Sequence, residues 1–145
     1  MARVSTYLNF MGTAREAFAF YRDVFDGDYL SPTMTMGDVP SDPTMPKVPE
    51  DERHLVMHAE LSILGGHVLM ATDMLASMGH ELRVGNNVTI NLEPDSREEA
   101  ERLYGRLSEG ATDATGLQDL PWGYWGTCCD RFGIRWMFTF SEPSA

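Results

Sequence analysis

The chain has 145 residues, 43% of them hydrophobic, with ten Met, seven Phe, five Tyr and three Trp, enough apolar side chain for one good core at about the commonest domain size. Eleven Lys and Arg stand against twenty-two Asp and Glu, a formal net charge of -11; a field of that sign repels phosphate backbones and anionic lipid, which argues against nucleic acid or a membrane as partner. The opening MARVSTYLNF lacks the apolar run and small-residue cleavage site of a signal peptide, and every apolar stretch is interrupted well short of about 18 residues, so a soluble, cytoplasmic chain forming a single domain over 1–145 is expected.

Arg3 to Phe10 is rich in β-branched and aromatic residues and predicts a strand. Thr13-Ala-Arg-Glu16 then has the form of a capping box, opening a helix to about Phe25. Ala14, Ala17, Phe18, Tyr21, Val24 and Phe25 recur at the spacing of one helix face, and Gly27 is placed to end it. Asp28 to Met36 is a further candidate strand. Between Gly37 and Glu52, prolines 40, 43, 46 and 49 recur every third residue, which blocks ladder pairing and favours an extended, polyproline-like path. This stretch reads either as an acidic solvent loop or as a lid. His54 to Leu64 alternates Leu55, Met57, Ala59, Leu61 and Ile63 against Val56, His58, Glu60 and Ser62, and Gly65-Gly66 turns the chain into a strand from His67 to Asp73.

The pattern then repeats. Val84 to Leu92 predicts a strand, Ser96-Arg-Glu-Glu99 a second capping box, and Ala100, Leu103, Tyr104 and Leu107 a second helix face ahead of Gly110. A shift of 83 residues aligns Ala17 with Ala100, Tyr21 with Tyr104 and Gly27 with Gly110, the mark of an internal repeat of about 80 residues. Thr112 to Leu120 and Tyr124 to Asp130 are candidate strands, and Arg131-Phe132-Gly133 turns into a last one, Ile134 to Phe140. Both halves, about 1–80 and 81–145, therefore read β-α-β-β-β within an α+β fold. Cys128 and Cys129, the only cysteines, are neighbours on a predicted strand, so their thiols point to opposite faces. They lack the C-x-x-C spacing of a redox pair, and the expected arrangement is one thiol in the core and one in a pocket or interface.

The tandem halves, the opening YLNFMGTAREAFAFYRDVF, the segment HAELSILGGHVLMATDM from His58 to Met74, and Trp122 followed by Asp130, Phe132, Gly133, Trp136 and Met137 together resemble the glyoxalase/bleomycin resistance/dioxygenase superfamily, also called vicinal oxygen chelate proteins, and within it the PhnB-like branch. The resemblance covers nearly the whole chain. It implies two half-open β-cups enclosing a cleft, commonly in a homodimer. It also implies, in the metal-using members, one divalent ion held from the outer strands as a Lewis acid.

This sequence departs from the metal-using pattern. Arg3 to Phe10, Val68 to Thr72, Val84 to Leu92 and Ile134 to Phe140 contain no His, Asp, Glu or Cys. The resemblance puts the last-strand glutamate of metal-dependent glyoxalases at or near Met137, whose thioether is a poor ligand for hard ions. His54 and His58 are about 13 Å apart along a strand, too far to share an ion, whereas His58 and Glu60 share a face at about 6.6 Å. The branch is also associated with a 3-demethylubiquinone methyltransferase label, but no glycine-rich strand-to-helix turn is present to bind S-adenosylmethionine.

Three functional readings follow. The first is a metal-free, dimeric small-molecule binding protein without a cofactor, lined by Tyr7, Asn9, His58, Glu60, Thr72, Asn91, Trp122, Tyr124 and Trp125. Aromatic rings would supply stacking surface, while amides and hydroxyls orient polar groups. The acidity favours a cationic or neutral ligand. Solvent exposure or satisfaction within the sheet remains open for His58, as does core or dimer packing for Trp122 and Trp125. The second is a metal-dependent lyase, isomerase or dioxygenase using His58, Glu60 and Asp73 or His67. The third is a structural or regulatory subunit with an occluded cleft.

Overall fold

A computed structural model describes residues 1–143. Two compact units divide the chain, Met1–Arg83 and the residues from Val84 on, and each builds one five-stranded sheet with one helix. In the first, the elements are β1 (Thr6–Phe10), α1 (Ala14–Phe25), β2 (Asp28–Tyr29), β3 (Met34–Thr35), β4 (Val56–Ser62) and β5 (Val68–Asp73). The second contains β6 (Ile90–Leu92), α2 (Arg97–Leu107), β7 (Asp113–Ala114), β8 (Gln118–Leu120), β9 (Gly123–Cys129) and β10 (Arg135–Phe140). Their topologies match. The order is β1-β5-β4-β2 with β3 also on β4, and β6-β10-β9-β7 with β8 also on β9. In each, the first strand runs parallel to the last and the remaining pairs are antiparallel. This is the expected β-α-β-β-β unit used twice, with the strand after the helix broken in two in each copy.

α1 packs on β4 and β5, and α2 on β9 and β10. Most of the predicted apolar faces are buried, Ala14, Ala17, Phe18, Tyr21 and Val24 in α1 and Ala100, Leu103 and Leu107 in α2, while Phe25 and Tyr104 are half-buried and Phe20, outside the predicted face, is buried. Beneath α1, the sheet contributes Leu8, Phe10, Leu61, Leu69 and Ala71; the second sheet contributes Leu92, Trp136, Phe138 and Phe140. Each Leu, Val or Phe side chain fully buried this way stabilises the fold by about 1.5–3 kcal/mol.

Several local expectations are corrected. Thr13 makes no side-chain cap on α1. The buried Asp73, at the end of β5, performs that task from across the sheet: its Oδ1 accepts from Gly12 N at 2.9 Å and Ala14 N at 3.0 Å, and its Oδ2 from Val56 N at 2.9 Å. At the other end, Asp26 takes the left-handed conformation, φ 49°. Gly27 is required for a different reason, since a Cβ there would lie 2.3 Å from the Ser62 carbonyl oxygen. Ser96 does cap α2, accepting from Glu99 N at 3.1 Å, while the Glu99 carboxylate turns to Arg102.

The candidate strand Asp28 to Met36 is broken into β2 and β3 around Pro32, which has no N–H to give a ladder. Gly116, at φ 75°, separates β7 from β8. Of Val84 to Leu92 only the last three residues pair with β10, because Gly85, Asn86 and Asn87 are poor strand formers. The proline-rich stretch is not continuously extended. Asp42 accepts from Thr44 N and Thr44 Oγ1, and its carbonyl accepts from Met45 N, closing a turn. Among the described residues no helix is long and apolar enough to cross a membrane.

Candidate functional site

Strand alternation leaves one face of each sheet turned away from its helix. In the first unit the register places Tyr7, Met70 and Glu60 in one row across β1, β5 and β4, with Asn9 beside Thr72 in the next row. His58, two residues before Glu60, shares that face. Its Nε2 lies 3.4 Å from Glu60 Oε1, and its ring centroid lies 6.2 Å from that of Tyr7. Arg3 approaches the same Glu60 oxygen at 3.9 Å. Five predicted residues, Tyr7, Asn9, His58, Glu60 and Thr72, are thus gathered on one surface. None belongs to the core: Tyr7 and Asn9 are exposed, and the other three are half-buried.

In the second unit the corresponding face carries the row Asn91–Met137–Thr127, followed by Thr139–Trp125–Gln118. Thr139 Oγ1 and Asn91 Oδ1 lie 3.0 Å apart. Trp122 sits outside the strands, exposed in the turn before β9. Tyr124 does not join Trp125, because adjacent strand residues face opposite ways. It pairs with Phe140 and Asp119 on the helix side, donates its hydroxyl to Glu101 at 3.1 Å, and lies under the Arg97 guanidinium at 4.0 Å. Burial and the Glu101 carboxylate push the Tyr124 hydroxyl up from its ordinary value.

The other predicted polar groups are tied elsewhere. Asp73 is committed to the backbone on the helix side of its sheet. His67 Nε2 is 2.9 Å from Thr6 Oγ1, and His80 Nδ1 accepts from Leu75 N. Among the described residues no three His, Cys, Asp or Glu side chains are grouped to hold a metal ion. His58 and Glu60 offer two donors where a catalytic zinc takes three from the protein, and Arg3 already brings a cation to Glu60. Across β6, β10 and β9 of the second sheet stand an amide, a thioether and a hydroxyl, from Asn91, Met137 and Thr127. This donor set does not fit the divalent ion of the metal-using relatives. Nor does the β1–α1 turn fit an anionic cofactor, since its Gly12 and Ala14 N–H groups are both given to Asp73.

The two cysteines separate as expected. Cys128 is fully buried in register with Trp136, and Cys129 lies on the other face in register with Arg135 and Asp113; both are free thiols. Burial first, and then the Asp130 charge, pushes the Cys128 thiol up to about 12. Because the folded state holds this proton more tightly, the associated stability is complete below the ordinary value of 9.0 and is lost as pH climbs toward about 12. Urea unfolding at about pH 8 and about pH 10.5 is expected to show a larger alkaline loss for the wild type than for Cys128→Ala.

Comparison with known proteins places this geometry. The family model described as 3-demethylubiquinone-9 3-methyltransferase matches residues 2–139. The crystal structure of protein PA1353 from Pseudomonas aeruginosa is similar at 31% identity and a TM-score of 0.83, over 99% of this chain and 100% of that one. A putative 3-demethylubiquinone-9 3-methyltransferase, PhnB protein, from Bacillus cereus is similar at 22% identity and 0.75, over 97% and 100%. A glyoxylase/bleomycin resistance protein/dioxygenase domain from Frankia sp. EAN1pec shares the fold at 15% identity and 0.66, over 100% and 96%. The chain therefore belongs to the family described as 3-demethylubiquinone-9 3-methyltransferase, and it has the fold of the glyoxylase/bleomycin resistance protein/dioxygenase domain.

Proposed function

We propose that this chain is a metal-free small-molecule binding protein of the glyoxalase/bleomycin-resistance type, acting in the cytoplasm as a homodimer of single-domain chains. The observation that carries the reading is the first sheet's outer face, where Tyr7, Asn9, His58, Glu60 and Thr72 converge without serving the core. An aromatic ring beside an imidazole–carboxylate pair offers stacking surface and both donors and acceptors. Glu60 and the chain's acidity favour a cationic or neutral ligand. In the second unit, Asn91, Trp125 and the exposed Trp122 supply the same kinds of group; Tyr124, engaged with Arg97 and Glu101, is left out of the set.

One observation favours a second reading: His58 Nε2 and Glu60 Oε1 lie 3.4 Å apart, two of the donors that a metal-dependent lyase, isomerase or dioxygenase would need. Native mass spectrometry of the purified chain separates the two. The first reading predicts an organic adduct without a stoichiometric metal, weakened by Tyr7→Ala and His58→Ala.

A further inference from the structure

Glu60 differs from the other sheltered carboxylates of this chain. The buried Asp73 accepts from three backbone N–H groups, and the buried Asp130 from two and from the Trp136 indole. No hydrogen bond reaches the Glu60 side chain from the described residues, although that side chain is only 21% exposed. Its arginine is held loosely. Glu99 and Asp113, both more exposed than Glu60, draw an arginine nitrogen to 2.7 and 3.1 Å, whereas Arg3 Nη2 stops 3.9 Å from Glu60 Oε1. Arg3 lies among the exposed residues ahead of β1, and its own side chain is 57% exposed.

An ion pair this open contributes little and exchanges easily. Beneath it is a carboxylate largely withdrawn from water, with Met70 and then the exposed Tyr7 next in its row and the His58 ring approaching both Glu60 and Tyr7. Glu60 and Tyr7 stand two strands apart, about 10 Å between backbones, a span suited to one aromatic ring with a short cationic head. We propose that Glu60 is the recognition point for an organic cation of the amidinium or guanidinium class carried on a flat apolar body, and that Arg3 is a built-in occupant which such a ligand displaces. This rests on the reading of the Tyr7–His58 face as the ligand site and narrows its ligand from cationic or neutral to cationic. Two parallel N–H groups on such a head match the two oxygens of a carboxylate, the geometry of the strongest charge-assisted bonds. The Tyr7 ring offers stacking surface to the body and a favourable face to the charge.

The experiment titrates the full chain at one ionic strength with benzamidine and with benzamide, which has the same ring and planar head but no charge, following backbone amide shifts by NMR. Benzamidine is expected to shift amides of β1, β4 and β5 and to bind at least about ten-fold more tightly than benzamide, the contribution of one charge-assisted contact in a partly desolvated site. Glu60→Gln should remove that difference. Arg3→Gln should tighten benzamidine by about two- to five-fold, as an exposed ion pair no longer competes. In the Glu60→Gln background the same Arg3→Gln change should have no effect, whereas a general effect of net charge would persist there. Both positions lie outside the core. Benzamide binding this face as tightly as benzamidine, or a benzamidine affinity indifferent to Arg3→Gln or to Glu60→Gln, would overturn the proposal while leaving the face a ligand site. The absence of shifts on this face with either probe would also overturn it; the reading of the face is judged separately, by the organic adduct and its loss in Tyr7→Ala and His58→Ala.

Discussion

Replacing Asp73 with alanine is expected to destabilise the chain by about 3–5 kcal/mol, because three backbone donors, two of them in buried bonds, lose a charged acceptor at once. Gly12 N, Ala14 N and Val56 N all point at this one carboxylate, which is 3% exposed. The bonds tie the start of α1 and the start of β4 to the end of β5, so the loss reaches three elements. For a chain of this length the midpoint should fall by about 10 °C. Asp73→Asn should lose about half as much, since the amide keeps one acceptor but turns a donor toward one of the N–H groups. Thr13→Ala, at the position that looks like the cap, should change stability by less than about 0.5 kcal/mol. Urea unfolding followed by circular dichroism measures all three, and a loss under about 1 kcal/mol for Asp73→Ala would show that the helix is capped in another way.

The second unit has its own buried aspartate. Asp130 is 1% exposed; its Oδ1 accepts from Phe132 N at 2.8 Å and Ile134 N at 3.0 Å, and its Oδ2 from the indole of Trp136 at 2.8 Å. It holds the β9–β10 hairpin, where Gly133 at φ 89° makes the left-handed step, to the largest fully buried side chain of the sheet. Asp130→Ala should therefore also cost about 3–5 kcal/mol. Trp136→Phe, which removes the indole donor and shrinks the core, should cost about 2 kcal/mol. Combined, the two should fall short of their sum by about 1 kcal/mol or more, the signature of a shared bond. A double-mutant cycle by urea unfolding checks this, and strict additivity would place the indole bond outside the energetics of the hairpin.

These two aspartates mark how much the sequence discloses. Both sit in phrases that carry the family resemblance, yet Asp73 does not read as a cap, because its partners become neighbours only after folding: Gly12 and Ala14 are 61 and 59 residues away, whereas Asp130 bonds within its own hairpin. Local patterns were legible. The helix faces, the alternation of Val56 to Ser62, the Ser96 cap and the turn at Gly133 all follow from period and backbone chemistry. Where a competing local signal exists, it wins: Pro32 breaks one expected strand and Gly116 another.

The candidate site was legible in its first half for the same reason. His58 and Glu60 share a face by alternation within one strand. Tyr7, Asn9 and Thr72 join them only through the register of β1 on β5 and β5 on β4, which a sequence does not print. Tyr124 and Trp125 show the limit, since neighbours on a strand part company whatever their chemistry.

The central claim is that the chain holds an organic ligand without a resident metal. Native mass spectrometry, before and after exposure of the purified protein to a deproteinised small-molecule extract, tests it most directly. The account predicts a discrete organic adduct, reduced at least about ten-fold in Tyr7→Ala and His58→Ala as an anchor in a desolvated site is lost, with less than a stoichiometric amount of any divalent metal. One metal ion per chain, removed by His58→Ala, or a chain that stays bare after exposure to the extract, would contradict it.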